Sequence, residues 1–405
     1  MSTPAVTRGR LTGLDEITDI GRDPRRGGYS RHLWDAADLQ LRDWFVARAE
    51  STGLDVERDR NGNLWAWWGA PGPDAVVVGS HLDSVPGGGE YDGPLGVVSA
   101  LDAVALLRSS GFVPSRPCAV VVFAEEEGSR FGVACLGSRL LTGALDAARA
   151  RRLVDADGVT LAEAADAHGV PARHLGVDER ALGRIGIFLE LHVEQGRGLV
   201  DVDGPLAVAS GILAHGRWRI GFRGEGNHAG ATRMADRRDP MVAAARGVVA
   251  ARDAAAARPG ARATVGRIGV VPGGTNVIPS AVTTWLDARS DDDEETRALV
   301  AEIEERMRDV AAAEGCELVI AEESWSSAVT FPADLRESVS AALGGIPELG
   351  TGAGHDAGVL SAHVPTAMVF VRNPSGVSHA PEEYAELDDC VAGVVAMERI
   401  LRELL

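Results

Sequence analysis

The chain has 405 residues, of which 45% are hydrophobic and 24% are charged, and its formal net charge is -19 at pH 7. This length predicts two domains, and this composition is typical of a globular α/β protein. The acidic balance argues against nucleic acid as a partner, because phosphate binding needs a basic face. The sequence has no apolar stretch long enough for a membrane span and no apolar secretion signal at its start, so we expect a cytoplasmic protein without a membrane partner.

The first part of the chain predicts an irregular segment followed by compact α/β structure. Residues 1–33 show no clear periodicity. Helical spacing of apolar residues predicts a helix from Trp34 to about Gly53, and Val56 to Trp68 reads as a hairpin. A valine-rich run from Ala75 then predicts a buried strand that ends at His81.

Three predicted strands end in residues that bind metal ions. His81 and Asp92 follow the first strand, Glu125-Glu126-Glu127 follows a strand that begins at Cys118, and His192 ends a strand that begins at Ile185. Ligand sites of open α/β sheets lie at the carboxyl ends of strands, and three such ends favour one shared metal-binding cleft. Three adjacent carboxylates also fit a solvated helix start, but at a strand end one can bind metal while its neighbour transfers a proton.

A change of sequence pattern near Ser210 predicts an inserted domain. Alternating strands and two helices between residues 210 and 325 form a βαββα-like set, and residues 326–405 return to the earlier pattern. We therefore expect a catalytic metal-binding domain from residues 1–209 and 326–405, with an inserted α+β domain at 210–325. Four cysteines lack the spacing of a zinc ribbon or a disulfide framework, so we expect free thiols.

Eight short motifs occur in a fixed order along the chain. They are Ser-His81-Leu-Asp83, Tyr-Asp92-Gly, Glu126-Glu127-Gly-Ser-Arg-Phe, Leu-His192-Val-Glu-Gln195-Gly, Asn-His228-Ala-Gly-Ala-Thr, Gly-Gly-Thr-Asn276-Val-Ile-Pro, Asp-Ala-Arg289-Ser and Ser-His379-Ala-Pro-Glu-Glu. Together they resemble the dinuclear metallohydrolases of the allantoate amidohydrolase, N-carbamoyl-L-amino-acid hydrolase and β-ureidopropionase group, a branch of the aminoacylase and carboxypeptidase superfamily. The resemblance implies an α/β fold, with a mixed-sheet metallopeptidase-like catalytic domain and an inserted lid and dimerisation domain.

The resemblance implies a site for two divalent metal ions. Asp92 would bridge them, His81 and His192 would complete one position, and Glu127 and His379 would complete the other. Ligands of this kind admit manganese or zinc, with cobalt or nickel also possible.

The resemblance also implies roles for the remaining motif residues. Glu126 would be the general base, Asp83 would hold His81, and His228 would stabilise the oxyanion as a catalytic residue supplied by the partner subunit of a homodimer. The expected substrate-binding residues are Gln195, His228, Asn276 and Arg289. Glu125 precedes the pair found in relatives, which leaves open which carboxylate is the base and which is the ligand.

The expected activity is metal-dependent hydrolysis of the terminal ureido or carbamoyl C–N amide bond of a small carboxylate, with release of ammonia and carbon dioxide. Allantoate is the first substrate expected. N-carbamoyl-L-amino acids, or the substrate of β-ureidopropionase, fit the same motifs. The sequence also admits a dipeptidase or aminoacylase of the wider superfamily, although His192 and the Asn276 and Arg289 motifs weaken that reading. A non-catalytic protein that binds a ureido compound or a peptide is a further hypothesis.

Overall fold

The computed structural model describes residues 11–405, so the first ten residues of the N-terminal segment lie outside the described part. The chain divides into two compact units. Unit 1 comprises the described residues up to Gly211 together with Thr330–Leu405, and unit 2 comprises Ile212–Val329. Between residues 11 and 405, no helix has both the length and the apolar character needed to cross a membrane.

The elements are numbered in chain order. The α-helices are α1 (Thr12–Ile17), α2 (Ala36–Ser51), α3 (Pro94–Ser109), α4 (Leu136–Thr142), α5 (Ala147–Arg151), α6 (Leu161–Ala167), α7 (Glu179–Leu182), α8 (Gly198–Asp201), α9 (Pro240–Ala256), α10 (Asp293–Ala313), α11 (Ala333–Ala342), α12 (Asp356–Leu360) and α13 (Leu387–Leu404). The strands are β1 (Asp55–Arg58), β2 (Leu64–Trp68), β3 (Ala75–His81), β4 (Cys118–Phe123), β5 (Ile185–Val193), β6 (Leu206–Ile212), β7 (Ala214–Arg223), β8 (Asn227–His228), β9 (Arg262–Val271), β10 (Val277–Ile278), β11 (Ala281–Ser290), β12 (Glu317–Ser326), β13 (Val329–Thr330), β14 (Glu348–Thr351) and β15 (Thr366–Val371).

A mixed sheet forms the centre of unit 1. Its strand order is β1-β2-β4-β3-β5-β15-β6-β13, and β14 pairs with β6. The four central strands β4, β3, β5 and β15 are parallel, whereas β2 and β6 pair antiparallel with β4 and β15. β3, β4 and β15 are buried along their whole length, as expected for parallel strands covered on both faces. The carboxyl ends of the four parallel strands therefore meet at one edge of the sheet.

The buried apolar residues of unit 1 include two clusters. The larger cluster joins the sheet to α2, α3 and α13, with Phe45, Leu101 and Met397 among its buried members. The smaller cluster includes Trp34 and Leu140, and it packs the helices α4, α5 and α6 together with the loops beside them. The four cysteines are free, and all but Cys316 are buried.

The N-terminal segment is more ordered than its sequence predicts. We expected residues 1–33 to be irregular, but α1 lies within them and buries Leu14 and Ile17. A helix of six residues is too short to show a clear apolar period, which explains the difference. Further on, the backbone N–H of Tyr29 donates to Gly88 O at 2.9 Å, and the Gly88 N–H donates to Tyr29 O at 2.8 Å. This segment therefore anchors the glycine-rich loop that leads to Asp92.

Unit 2 is an α+β structure with its own core. Its four-stranded antiparallel sheet has the order β12-β7-β11-β9, and α9 and α10 contribute to the same apolar cluster as the sheet. Alternate residues of β7 and β11 are buried, including Trp218, Phe222 and Leu286. The alternation expected of a sheet covered on one face is therefore present.

Candidate metal centre

The candidate site lies at the carboxyl ends of the four parallel strands of unit 1. His81 is the last residue of β3, and His192 is the penultimate residue of β5. The three glutamates follow β4, and the loop after β15 leads to His379. This arrangement follows from the rule that parallel strands present their carboxyl ends together.

The first group of side chains is His81, Asp92 and His192, which are all buried. Asp92 Oδ1 is 3.5 Å from His81 Nε2 and 3.2 Å from His192 Nε2. The Nδ1 atoms face backbone carbonyls instead, with His81 Nδ1 3.0 Å from Asp83 O and His192 Nδ1 2.9 Å from Val193 O. A ring that donates from Nδ1 presents the lone pair of Nε2, which is the usual arrangement of a histidine that binds metal.

The second group is Asp92, Glu127 and His379. His379 Nε2 is 3.4 Å from Asp92 Oδ2 and 3.5 Å from Glu127 Oε2. Gln195 Nε2 donates to the same Asp92 oxygen at 2.8 Å. The two oxygens of Asp92 thus face two different groups of ligand-type side chains.

The turn between Ala124 and Gly128 separates the three adjacent glutamates. Glu125 Oε1 accepts the backbone N–H groups of Arg130 and Phe131, at 2.8 and 2.7 Å. Glu126 Oε2 lies 3.7 Å from His81 Nε2, and Glu127 faces His379. Glu125 therefore holds the following loop, while the other two carboxylates face the histidines.

Asp83 contacts this turn more closely than it contacts His81. Its carboxylate accepts the backbone N–H of Glu126 at 3.1 Å and that of Glu127 at 3.0 Å. Asp83 Oδ1 is 3.7 Å from His81 Nδ1, whose hydrogen-bond partner is the Asp83 backbone carbonyl. Asp83 thus positions the two glutamates directly, and it holds the His81 ring through its main chain.

Divalent cations fit both groups of side chains. The Nε2 atoms of His81 and His192 and the Oε1 atom of Glu127 are buried and have no hydrogen-bond partner. Within each group the ligand atoms lie within 4.8 Å of one another. Imidazole nitrogens and carboxylate oxygens are ligands for zinc and manganese.

Comparison with known proteins places the chain in a family. The sequence matches the family model described as peptidase family M20/M25/M40 over residues 77–403. The chain belongs to this family. Hydrolases of the family use dinuclear metal centres, which agrees with the two groups of side chains that share Asp92.

Several relatives resemble the chain along nearly its whole length. An N-carbamoyl-L-amino acid amidohydrolase of Geobacillus stearothermophilus is 35% identical over 96% of this chain and 97% of its own length. An allantoate amidohydrolase of Escherichia coli is 32% identical over 96% of both chains. The crystal structure of a hydantoinase/carbamoylase family amidase from Burkholderia vietnamiensis matches with a TM-score of 0.87 and 30% identity, and covers 100% of this chain and 99% of that one. The expected family and the mixed-sheet α/β fold are confirmed.

The site contains two residues, Glu190 and Glu383, to which we assigned no role from the sequence. Glu190, two residues before His192 on β5, forms a third compact group with His192 and the buried His355. Glu383 Oε1 accepts the N–H groups of Tyr91 and Asp92 at 3.2 and 3.0 Å. Its Oε2 accepts the hydroxyl of Ser378 at 3.1 Å, so Glu383 links the loop of Asp92 to the loop of His379. The spacing of two along a strand is the sequence signal that marks Glu190, since residues i and i+2 share a face.

The predicted residues His228, Asn276 and Arg289 belong to unit 2. The Ala229 N–H donates to Asn276 O at 2.9 Å, and His228 pairs with Val277 between β8 and β10, so the two motifs lie side by side. His228 Nδ1 accepts the N–H groups of Gly230 and Ala231, both at 3.1 Å. In the neutral ring the proton therefore lies on Nε2.

Arg289 forms an ion pair within unit 2. Its Nε and one terminal nitrogen donate to the two oxygens of Asp287, at 2.6 and 2.9 Å. Both residues lie on β11 with their positions two apart, so their side chains share one face of the sheet. The guanidinium is thereby held in a fixed orientation.

Removal of metal ions is expected to make stability depend strongly on pH. Burial raises the pKa of Glu125 from 4.5 to about 8 and that of Glu126 to about 7, with the nearby Asp83 charge adding to both effects. Over this range the folded state keeps protons that the unfolded chain has lost. The free energy of unfolding rises with pH only where the unfolded state binds more protons, so in the metal-free protein it falls as pH rises from 4.5 to about 8.

Urea unfolding of metal-stripped protein at several pH values within this range measures the slope. Glu125→Gln removes one titrating group and keeps a carbonyl acceptor for Arg130 and Phe131, so its slope is expected to be smaller. Refilling with manganese should also reduce the slope, because the bound ion favours the deprotonated ligands. A stability that rises with pH in the metal-free protein would contradict the raised pKa values.

Proposed function

We propose that the protein is a metal-dependent amidohydrolase that cleaves the terminal ureido or carbamoyl C–N amide bond of a small carboxylate, releasing ammonia and carbon dioxide. The observation that carries this proposal is the Asp92 carboxylate, whose two oxygens face separate groups of metal-ligand side chains. Allantoate is the first substrate we propose, and N-carbamoyl-L-amino acids are the second. The named relatives support both, since they include an allantoate amidohydrolase and an N-carbamoyl-L-amino acid amidohydrolase.

In this proposal Asp92 would be shared by two divalent ions, which are manganese or zinc, or else cobalt or nickel. His81 and His192 would hold one ion, and Glu127 and His379 would hold the other. When bound, the two metal ions would supply Lewis-acid activation of the substrate carbonyl and of a nucleophilic water. Asp83 and Glu383 hold the loops that carry these ligands.

Metal content tests the assignment of ligands. We expect two ions per chain in the wild type, about one in His81→Ala and in His379→Ala, and loss of both positions in Asp92→Ala because that carboxylate is shared. His363→Ala is the matched control, since His363 is an exposed histidine of unit 1 outside both groups. Elemental analysis after dialysis gives the counts. An equal loss of metal from His363→Ala and His81→Ala would contradict the assignment of His81 as a ligand.

Glu126 is the proposed general base. It is buried, and its Oε2 atom lies 3.7 Å from His81 Nε2, on the side of the proposed metal ligands. A general base must lie within reach of the proton that it takes up. Glu126 would take a proton from the nucleophilic water and deliver it to the leaving nitrogen.

Ammonia release by the metal-filled protein tests both the substrate and the base. The panel contains allantoate, several N-carbamoyl-L-amino acids and a dipeptide, and only ureido or carbamoyl compounds should release ammonia. Glu126→Gln is expected to lower kcat by about 10²- to 10⁴-fold while metal content is unchanged. Glu125→Gln is the matched control, because Glu125 holds loop amides, and its kcat should stay near that of the wild type. A larger loss of kcat in Glu125→Gln than in Glu126→Gln would mean that Glu125 is the base and that Glu126 is not.

We propose that residues 210–325 form a lid and dimerisation domain that binds the substrate, and that residues 1–209 and 326–405 form the catalytic domain. Arg289 would bind the substrate carboxylate, since a guanidinium held in place by Asp287 is a pre-oriented donor for an anion. Asn276 and Gln195 would add hydrogen bonds from their side-chain amides.

His228 is the proposed oxyanion donor, and we propose that it acts on the active site of the partner subunit in a homodimer. It is exposed, and the two amides on its Nδ1 leave the Nε2 hydrogen to donate. The edge strand β9 supports a dimer, because it exposes Ile268 and Val271, which are 51% and 58% accessible. Exposed apolar edge strands are sites of association.

Mixed dimers test whether His228 acts across the subunits. Glu126→Gln and His228→Ala are each expected to be inactive as homodimers. A heterodimer of the two, isolated with two different tags, contains one site with both residues intact if His228 acts in the partner, and should recover about half of the wild-type activity. If His228 acts within its own chain, every site in the heterodimer lacks one residue and no activity returns.

A further inference from the structure

The thiol of Cys135 contacts the proposed base. Its Sγ lies 3.1 Å from Glu126 Oε1, and both side chains are buried. The other oxygen of Glu126, Oε2, is the one that lies 3.7 Å from His81 Nε2. A thiol is a donor, and an ionised carboxylate only accepts, so the S–H group is the donor in this contact.

Two backbone hydrogen bonds join the segment that carries Cys135 to the segment that carries Glu126. The Cys135 N–H donates to Glu126 O at 2.6 Å, and the next amide, Leu136 N–H, donates to Glu125 O at 3.1 Å. Cys135 precedes α4 with φ 54° and ψ 38°, the left-handed conformation that residues other than glycine seldom adopt. Such a conformation persists where the surrounding structure determines it, and here it directs the side chain at Glu126.

We propose that Cys135 is a positioning residue for Glu126. The S–H group binds Oε1 and so fixes the rotation of the carboxylate that leaves Oε2 on the histidine side. This inference rests on the proposed function, in which Glu126 is the base. Because a thiol is a weak donor, it orients the carboxylate and withdraws little of its basicity, unlike an arginine or a lysine at the same place.

The protonation of the thiol agrees with this role. Burial raises the pKa of Cys135 well above its ordinary value, and the neighbouring Glu126 and Asp356 charges add to the effect. The sulfur therefore keeps its proton. The surroundings of the other two buried cysteines are different: Cys118 and Cys390 belong to the larger apolar cluster of unit 1.

The kinetic test compares Cys135→Ala, which removes the donor, with Cys135→Ser, which restores one. We expect kcat to fall roughly 3- to 10-fold in Cys135→Ala, in line with the net value of one hydrogen bond, with KM and metal content unchanged. Cys135→Ser should lie closer to the wild type. Cys390→Ala is the matched control for loss of a buried thiol and should keep the wild-type kcat. Equal kcat in the wild type and Cys135→Ala would overturn the proposal.

A spectroscopic test needs neither metal nor turnover, provided that the pH is kept well above the pKa of about 7 that Glu126 has without metal, so that its carboxylate is ionised. The S–H stretching band that disappears in metal-free Cys135→Ala is assigned to Cys135. Hydrogen bonding to a carboxylate should give this band a lower frequency than the S–H bands of the other thiols, and Glu126→Gln should raise its frequency. A band that does not respond to Glu126→Gln would overturn the contact, even if no substrate is found. If the band responds but the wild type hydrolyses nothing, the proposed function fails and the contact stands.

Discussion

The site depends on one carboxylate, Asp92, which is buried among imidazole rings and other acidic groups. Burial raises its pKa, but the nearby imidazole rings of His192 and His81 outweigh that effect and hold the pKa well below the ordinary value. Burial alone would lower the pKa of His192, yet Asp92 raises it to about 9. Without metal, protons on the histidines supply the positive charge that Asp92 requires. Divalent cations would supply the same charge and would leave the histidine nitrogens available as ligands, which supports the proposed metal site around Asp92.

Several contacts of unit 1 fix the position of the loop that carries Asp92. Gly93 adopts φ 87°, and a Cβ atom there would lie 2.4 Å from the His81 ring, so only glycine lets this turn approach the histidine. A Cβ at Gly89 would lie 2.3 Å from Glu383 Oε1, the atom that receives the Asp92 amide. Tyr29 pairs with Gly88 at the start of the same loop. The glycines thus make room for the side chains that position the shared carboxylate.

The parts of this structure that the sequence predicts are those with a strong local signal. The buried strands that end near His81, Glu126 and His192 were expected, because valine-rich runs and polar residues at their ends are both local features. The helix α1 was missed because it is short, and Glu383 was missed because its partners, Tyr91 and Asp92, lie in a distant part of the chain. Contacts between distant segments depend on tertiary packing and leave no periodic pattern.

The run of Glu125, Glu126 and Glu127 shows how a local signal can be correct and still incomplete. Adjacent like charges repel, and the sequence alone admits a solvated helix start or a division of roles. The structure gives each carboxylate separate partners: loop amides for Glu125, the Cys135 thiol and the His81 side for Glu126, and His379 for Glu127. The positive φ of 55° at Glu125 turns the backbone so that these directions diverge. Three identical side chains that are adjacent in the sequence therefore lie in three different environments.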